Sequence, residues 1–352
     1  MRRLTAVVVG CGAIAREHLA SLAKLGNVDV VAVCDLSPAK AEATAERYGI
    51  AKWYTGLDEL LAQHKPDLVH ITTPPSSHFL LAKECLSAGL NVLCEKPITI
   101  EYAQFVQLRQ LAEQNNCLLM ENQQFRLHSS IQRIQALVSS GAIGEVLDVK
   151  ISISLNIVDP AGPYADRNAP HFGLSLRGGV IGDFLPHIAY LLHIFAGRVV
   201  DLRALWLSHL HDSTLPSDEF RCLLKTKSGT GYVSFSGNAQ PNSFLVGVTG
   251  TRMRVEADLF EPPRLVRRRH RDGEPALACL ANGLAESRDV LWGSVAGFWR
   301  KLGGRSSYDG LTEFISQTYR AIELREPQPV PLEELAEIVR LVEWFTRADV
   351  SI

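Results

Sequence analysis

The most constraining feature of the sequence is the stretch Val-Val-Val-Gly-Cys-Gly-Ala-Ile-Ala at residues 7–15. The valines end a continuous apolar run, and Gly10 and Gly12 open a segment with helical periodicity. A strand, a glycine turn and a helix in this order are typical of a doubly wound α/β sheet, in which Gly10 permits the tight turn and Gly12 lets the backbone approach a pyrophosphate. The amide groups at the helix N-terminus would bind that anion.

The rest of residues 4–121 supports this interpretation, because short apolar runs alternate with segments of helical period. Continuous Val/Ile/Leu runs between helices indicate parallel strands that are covered on both faces. The predicted strands are Leu4–Val9, Val28–Cys34, Leu68–Thr72, Asn91–Cys94 and Cys117–Glu121, and the predicted helices cover 13–25, 38–48, 57–63, 77–88 and 101–115. We therefore predict an N-terminal Rossmann-type α/β domain, a doubly wound parallel sheet, over residues 1–122.

The pattern changes after about residue 123, where strands of period two replace the buried runs. They are predicted at Glu145–Asn156, Glu219–Lys225, Gly231–Ser236 and Phe244–Val255, with a hairpin turn at 228–231 and two helices within 306–348. Alternating strands with few helices predict a second, α+β domain with a mainly antiparallel sheet over residues 123–352.

Composition excludes several classes of function. The 36 basic and 38 acidic residues leave a net charge of −2, which disfavours nucleic acid as a partner. The sequence has no run of about 18 apolar residues, so no membrane span is predicted. The seven cysteines show no CxxC spacing, so we expect buried thiols in a reducing cytoplasm and no metal site.

The second predicted strand ends at Asp35, in the segment Val-Val-Ala-Val-Cys-Asp. A carboxylate at this position accepts the ribose hydroxyls of adenosine and repels a 2′-phosphate, so the sequence predicts NAD as cofactor. The open alternative is a glycine turn in an α/β protein that binds no cofactor.

A second loop, Ile-Thr-Thr-Pro-Pro-Ser-Ser-His at 71–78, follows the fourth predicted strand. Ligands of such sheets bind at the carboxyl ends of the strands, so Thr72, Thr73 and Pro74 are expected to meet the cofactor. His78 is predicted either to contact a ribose or to begin a helix at the solvent.

Four motifs together resemble the Gfo/Idh/MocA oxidoreductases, a family named after glucose–fructose oxidoreductase and inositol dehydrogenase. They are the glycine turn with Ala15, the Thr-Pro-Pro loop with His78, Glu-Lys-Pro at 95–97, and a Gly-Gly…Asp…His segment at 178–187. The resemblance implies a Rossmann domain and a second domain with an open, largely antiparallel sheet. It also implies NAD(P)-dependent chemistry on sugars, sugar phosphates, nucleotide sugars or cyclitols, and a homodimer or homotetramer.

By this resemblance Lys96 hydrogen-bonds the reacting oxygen of the substrate and also contacts the nicotinamide ribose, with Glu95 balancing its charge. A cation at that point would stabilise oxygen charge that develops during hydride transfer. The alternative is a solvated charge at a strand end. The residues predicted to bind the cofactor are Gly10, Gly12, Ala13, Ile14, Asp35, Thr72, Thr73, Pro74, His78, Glu95, Lys96 and Gln123.

The resemblance places the proton carrier at His187 and a substrate-binding or orienting carboxylate at Asp183, on one face of a helix because they are four residues apart. The sequence departs from the family pattern at Val180, Leu185 and Tyr190, where the family often has glycine, glycine and aspartate. A core-facing histidine is the alternative for His187. The residues predicted to bind substrate are Lys96, Arg126, Tyr164, His171, Asp183 and His187.

The sequence as a whole predicts an NAD-dependent dehydrogenase or reductase of a secondary alcohol. One rival is a redox-neutral, NAD-dependent glycosidase on the same scaffold. Another is a non-catalytic NAD-binding regulator, which would have no need of Lys96 or His187. The amphipathic segment 289–302 is expected to pack on the sheet or on a subunit partner, with membrane-surface binding as its alternative.

Overall fold

The computed structural model describes residues 3–159, 162, 164, 171–209, 217–261, 265–269, 276–302 and 310–347. The chain divides into two compact units. The first contains Met1–Gln124 and Gly310–Glu343, and the second contains Phe125–Asp309 and Trp344–Ile352.

The first unit is built on a six-stranded parallel sheet with the order β3-β2-β1-β4-β5-β6. Its strands are β1 Leu4–Val9, β2 Val28–Cys34, β3 Trp53–Tyr54, β4 Leu68–Ile71, β5 Val92–Cys94 and β6 Leu119–Glu121. The order reverses between β1 and β4, and ligands of doubly wound sheets bind at the carboxyl ends of the strands beside such a reversal. The predicted Rossmann architecture is therefore confirmed, and only the two-residue β3 was not predicted.

Five helices connect these strands: α1 Ala13–Leu22, α2 Pro38–Tyr48, α3 Leu57–Gln63, α4 Pro75–Ser87 and α5 Tyr102–Asn115. Helix α2 begins at Pro38, as predicted, and Ser37 precedes it without a side-chain cap hydrogen bond. Helix α4 begins two residues earlier than predicted, because Pro75 is tolerated in a first turn, where no amide hydrogen is needed.

The second unit contains a seven-stranded sheet with the order β13-β12-β11-β7-β10-β9-β8. Its strands are β7 Val146–Ser154, β8 Val199–Leu207, β9 Glu219–Thr226, β10 Thr230–Ser236, β11 Ser243–Gly250, β12 Met253–Asp258 and β13 Val266–Arg269. Only β7 and β10 pair in parallel, so the predicted mainly antiparallel sheet is confirmed.

One predicted strand, Phe244–Val255, is in fact the two strands β11 and β12. The amides of Thr251 and Arg252 bond to Glu145 and Ile143 at the turn, so the chain reverses there instead of continuing. A segment that alternates with period two can contain a two-residue turn that the alternation does not reveal. The same pattern did not distinguish β8 and β13 from loops, so these two strands were not predicted.

The helices of the second unit are α6 Ser129–Ser139, α7 Gly179–Ala196 and α8 Ala276–Leu302. Helix α7 is long and apolar enough to cross a membrane, but 78% of its most apolar window is buried within the protein. It packs on β7, β9 and β10. Its hydropathy is that of a core helix under a sheet.

Helix α8 presents apolar side chains to the surface of the chain. Trp292 and Trp299 are 67% and 66% exposed, and Leu277, Leu284 and Leu291 are exposed as well. The helix also contacts β13 of the chain's own sheet, where Arg267 of the strand pairs with Asp289 of the helix at 2.8 Å, which agrees with one of the two expectations for this segment. A subunit partner stays a prediction.

The chain ends in two helices, α9 Leu311–Leu324 and α10 Leu332–Arg347, where the sequence predicts two. Residues 310–343 lie in the first compact unit, although the sequence predicted all of 123–352 as one second domain. Helix α9 packs on α1, and the hydroxyls of Thr312 and Ser21 are 2.9 Å apart. Helical periodicity predicts that a helix has an apolar face but not which domain that face will cover.

Candidate functional site

The glycine turn follows β1 and comes close to the loop after β4. Gly10 has φ +96°, and a Cβ atom there would lie 2.8 Å from the carbonyl carbon of Thr72 and from the amide nitrogen of Thr73. The Thr72 hydroxyl donates to the carbonyl of Gly10 at 2.7 Å. The chain itself therefore requires glycine at position 10.

Gly12 differs from Gly10, since it precedes α1 with φ −78° and a Cβ atom there would meet nothing within 4 Å. Neither conformation nor contact with the chain requires glycine. Open space at a helix N-terminus fits the close approach of a pyrophosphate. Ala13 is exposed and Ile14 is half-buried beside it, while Ala15 is buried between helix and sheet.

These two glycines make a matched test of the turn. Gly10→Ala is expected to destabilise the protein by roughly 1–3 kcal/mol, because it forces a strained φ and a backbone clash. Gly12→Ala is expected to leave the melting temperature unchanged but to weaken NADH binding by about tenfold or more, which is about 1.4 kcal/mol. Thermal unfolding and NADH fluorescence titration measure the two effects. Unchanged NADH affinity in Gly12→Ala would contradict a pyrophosphate at this turn.

Asp35 is held beside the glycine turn by backbone hydrogen bonds. Its Oδ2 accepts from the amide of Cys11 at 2.8 Å, and its Oδ1 accepts from the amide of Ser37 at 2.9 Å. Each carboxylate oxygen has more than one lone pair, so Asp35 keeps capacity for the hydroxyls of a ribose. Leu36, next to it, is 92% exposed and offers apolar surface to an adenine ring. Together with the open space at Gly12, these features fit NAD.

The loop after β4 is stiffened from within. The Ser77 hydroxyl donates to Thr73 Oγ1 at 2.7 Å, and Pro74 precedes α4 in an extended conformation.

His78 lies elsewhere than either prediction placed it, because it is fully buried. Its Nδ1 is 2.8 Å from the carbonyl oxygen of Pro97, and its Nε2 is 2.8 Å from that of Thr73. Both ring nitrogens therefore face backbone oxygens and neither is directed at a ribose. The structure corrects the predicted cofactor contact: His78 ties the loop after β4 to the segment after β5.

Glu95 and Lys96 follow β5, at the same edge of the sheet. The Glu95 side chain is buried, and its Oε1 accepts from His18 Nε2 at 2.9 Å and from Asn122 Nδ2 at 2.6 Å. Burial alone would raise the pKa of this carboxyl, but the hydrogen bond from His18, the charge of His18 when it is protonated, the hydrogen bond from Asn122 and the charge of Lys96 together outweigh burial and lower the pKa. Glu95 is therefore an ionised group inside the protein.

Lys96 is half-buried, which differs from the freely solvated charge that was its alternative. Its amide donates to Glu95 Oε2 at 3.3 Å, so the carboxylate holds the backbone of the lysine as well as its charge. The peptide bond to Pro97 is cis.

The end of β6 adds three buried polar residues in sequence: Glu121, Asn122 and Gln123. Burial, with a smaller effect from the charge of Glu95, raises the pKa of Glu121 to about 7, against the hydrogen bonds that it accepts from Ile98 and Gln123. The Ile98 amide is 2.8 Å from Glu121 Oε2. Gln123 was predicted here, whereas Glu121 and Asn122 were not, because they looked like the end of an ordinary strand.

The second unit holds the other predicted catalytic residues on α7. Asp183 and His187 are one turn apart, and 7% and 6% exposed. His187 Nδ1 is 2.9 Å from the hydroxyl of Tyr190, and the Phe125 ring packs edge-on against the imidazole at 4.9 Å. His187 is thus buried on α7 and hydrogen-bonded through Nδ1, as a buried imidazole requires.

Tyr190, where the family often has aspartate, is fully buried and binds His187 instead of facing a ligand. Its oxygen accepts from the amide of Phe125 at 3.2 Å. The same oxygen is 2.9 Å from Nδ1 of His187, so the hydroxyl fixes the orientation of the imidazole ring. The departure from the family pattern therefore supplies an orienting hydroxyl for the histidine.

The remaining predicted residues lie in short segments of the second unit. His171 Nδ1 accepts from the amide of Gly173 at 3.1 Å and caps a short 3₁₀ helix, Phe172–Ser175. A Cβ atom on Gly173 would lie 3.5 Å from that of Asp183, so this segment lies against α7 beside the predicted carboxylate. Tyr164 packs edge-on against His171 at 4.9 Å.

Arg126 is half-buried on a second 3₁₀ helix, Gln124–Leu127, which follows β6. Among the residues that the structure describes, no group of three or more His, Cys, Asp or Glu side chains is arranged to hold a metal ion. Six cysteines are buried, free thiols: Cys11, Cys34, Cys85, Cys94, Cys117 and Cys222.

Comparison with known proteins agrees with this arrangement. Residues 4–123 match the model of an oxidoreductase family with an NAD-binding Rossmann fold, and residues 131–256 match the GFO/IDH/MocA C-terminal domain. A similar protein is the dTDP-3,4-didehydro-2,6-dideoxy-alpha-D-glucose 3-reductase of Streptomyces violaceoruber, 31% identical over 210 residues, which are 59% of this chain and 59% of that protein. The D-apiose dehydrogenase of Paraburkholderia graminis is 26% identical over 230 residues, 65% of this chain and 59% of that one.

The chain thus spans about three fifths of the length of these two relatives. Among solved structures, the WlbA dehydrogenase from Bordetella pertussis in complex with NADH and UDP-GlcNAcA has a TM-score of 0.75 at 17% identity, covering 99% of this chain and 95% of that one. At that identity the likeness concerns the fold alone. The two family models, the glycine turn with its Asp35 and the two sheets described above agree on one conclusion: this chain belongs to the GFO/IDH/MocA oxidoreductase family and carries its NAD-binding Rossmann domain.

Proposed function

We propose that the chain transfers hydride between NAD and a secondary alcohol or ketone of a sugar or nucleotide sugar. The observation that carries the proposal is Lys96, half-buried after β5 and held there by the ionised Glu95. A regulator that only binds NAD has no need of a lysine fixed at this point. Family membership supports the same class of reaction.

In this proposal each functional side chain has one role. NAD, when bound, supplies or accepts the hydride. The Lys96 ammonium stabilises negative charge on the substrate oxygen. The Nε2 atom of His187 takes the hydroxyl proton in oxidation and returns it in reduction, and the Asp183 carboxylate positions a neighbouring hydroxyl.

The proposed substrate class rests on the relatives. One is named as a 3-reductase of a dTDP-linked didehydro-dideoxyglucose and another as a dehydrogenase of D-apiose. Arg126 supports a nucleotide sugar over a free sugar, because a guanidinium suits a phosphate oxygen.

A panel of substrates tests the proposal, with NADH absorbance as readout. Free sugars, cyclitols, sugar phosphates and nucleotide sugars are offered with NAD⁺, and keto nucleotide sugars with NADH. Turnover of NAD(H) with a nucleotide sugar is the expected result. Cleavage of a glycosidic bond without net NADH change would instead identify the redox-neutral glycosidase. Tight NADH binding with no reaction across the panel would favour the regulator.

The choice of dinucleotide is a separate prediction. NADH is expected to bind more tightly than NADPH, because the carboxylate of Asp35 accepts ribose hydroxyls and repels a 2′-phosphate, and no arginine follows in Leu36-Ser37-Pro38. Fluorescence titration of both dinucleotides measures the preference. Asp35→Asn keeps the side-chain size and should reduce the difference between the affinities for NADH and NADPH. Tighter binding of NADPH by the unmodified chain would show that Asp35 does not face the ribose.

A further inference from the structure

A continuous row of hydrogen-bonded side chains leads from Glu95 into the interior of the first unit. His18 Nε2 is 2.9 Å from Glu95 Oε1, His18 Nδ1 is 2.9 Å from His70 Nδ1, and His70 Nε2 is 2.9 Å from the hydroxyl of Tyr319. The two histidines are fully buried, and Tyr319 is 2% exposed. We call these three residues the buried relay. None of them has a part in the hydride transfer proposed above.

The buried relay joins elements that are distant in the sequence. His18 lies on α1, whose N-terminus carries the glycine turn; His70 lies on β4; and Tyr319 lies on α9, 249 residues after His70. Polar groups in a dry interior are costly unless each donor meets an acceptor. Apolar residues at all three positions would avoid that cost, so their pairing calls for a function beyond packing.

The positions of the hydrogens follow from the partners. Burial lowers the pKa of His70 well below its usual value, and the charge of a protonated His18 would lower that pKa further; burial also raises the pKa of Tyr319 and so keeps its hydroxyl protonated. A neutral His70 carries one hydrogen. Tyr319 has His70 as its hydrogen-bond partner among the described residues, so its hydroxyl donates to His70 Nε2.

The remaining assignments are then determined in turn. His70 has its hydrogen on Nδ1 and donates to His18 Nδ1, so a neutral His18 has its hydrogen on Nε2 and donates to Glu95. Every donor along the row meets an acceptor. An imidazolium at His18 would reverse the two inner bonds and turn the Tyr319 hydrogen away from its partner.

We propose that His18, His70 and Tyr319 are positioning residues that aim one N–H group at Glu95 and so fix the carboxylate that holds Lys96. The catalytic part of this inference rests on the proposed function, whereas the assignment of the hydrogens does not. Glu95 Oε2 accepts from the Lys96 amide at 3.3 Å, so rotation or protonation of the carboxyl would release the lysine backbone. The relay acts on the reaction only through Glu95.

Nuclear magnetic resonance of the full chain with ¹⁵N-labelled histidine tests the hydrogens directly. The expected result is a neutral His18 protonated on Nε2 and a neutral His70 protonated on Nδ1. Single His18→Gln and His70→Gln variants assign the two signals among the 11 histidines. An imidazolium at His18, or a hydrogen on Nε2 of His70, overturns the proposal whether or not the protein proves to be a dehydrogenase.

Tyr319→Phe removes the hydroxyl that donates to His70 Nε2, so the signal of that nitrogen is expected to shift toward that of an unbonded imidazole nitrogen, while the bonds of His18 to His70 and to Glu95 keep both tautomers. Tyr54→Phe is the matched control, since it removes the hydroxyl of another tyrosine–histidine pair in the same unit, Tyr54 and His64, 2.9 Å apart. The control should leave the His18 and His70 signals unchanged. An unaltered His70 Nε2 signal in Tyr319→Phe contradicts a hydroxyl donor at that nitrogen, and with it the relay.

Kinetics then test the effect on Lys96. His18→Leu is expected to lower single-turnover hydride transfer by about 10–100-fold, as loss of orientation does, with NADH affinity within about twofold of the parent. His18→Gln can still donate an amide hydrogen to Glu95 and should recover most of the rate. Equal loss in both variants, at similar melting temperatures, would assign His18 a packing role. If the unmodified protein has the expected tautomers but transfers no hydride, the proposed function is refuted. The buried relay would then still position Glu95.

Discussion

Lys96→Met is expected to lower the rate of hydride transfer by about 10²–10³, the usual cost of losing one donor to a developing oxyanion. The loss should appear in turnover and not in substrate affinity, because the interaction strengthens in the transition state. Methionine keeps the apolar stem of the half-buried lysine, and the Glu95 carboxylate still accepts from the backbone amide at position 96. The fold and the NADH affinity should therefore be retained.

Three measurements on one sample separate catalysis from folding: the melting temperature, NADH binding and single-turnover hydride transfer. Lys65→Met is a matched control, since Lys65 is an exposed lysine of the same unit. A Lys96→Met protein that melts normally, binds NADH and transfers hydride at the parent rate would remove Lys96 from the mechanism. A protein that unfolds would show that Glu95 and Lys96 form a structural ion pair, which Lys96→Arg should then restore.

The sheet of the first unit could be predicted from the sequence because its strands are buried on both faces and read as unbroken apolar runs. Strand β3, only Trp53 and Tyr54, is too short to give such a signal. The sequence also could not predict which domain α9 packs on, because the apolar residues of this helix, including Phe314 and Tyr319, would suit any complementary surface.

The residues of the candidate site likewise divide into those that could be predicted from the sequence and those that could not. Gly10, Gly12 and Asp35 could be predicted because their chemistry is local: one turn, one helix start and one strand end. The contacts of His18, His70 and Tyr319 could not, because they join residues that are far apart in the chain and look like ordinary helix and strand positions. Tyr190 was noticed as a departure from the family pattern, but its bond to His187 emerged only from the packing of α7.

His187→Ala is expected to lower turnover by about 10²–10⁴, the usual contribution of a general acid–base group, with little change in NADH affinity. The expectation follows from the proposed function, in which Nε2 of His187 carries the proton and the bond of Tyr190 to Nδ1 orients the ring. His193→Ala is a control on the same helix, because His193 lies half-buried in the last turn of α7 and has no role in the proposed reaction.

Tyr190→Phe distinguishes orientation from proton transfer at the same site. It leaves the imidazole in place but removes the hydroxyl that binds Nδ1, so a smaller loss of rate than in His187→Ala is expected. It also leaves the buried amide of Phe125 without its acceptor, at a cost of about 1–3 kcal/mol in the free energy of unfolding. The pH dependence of single-turnover oxidation should keep its histidine limb in Tyr190→Phe and lose it in His187→Ala. If the limb persists in His187→Ala at the parent rate, His187 is a core residue and the proton carrier is another group, with His171 the first to test.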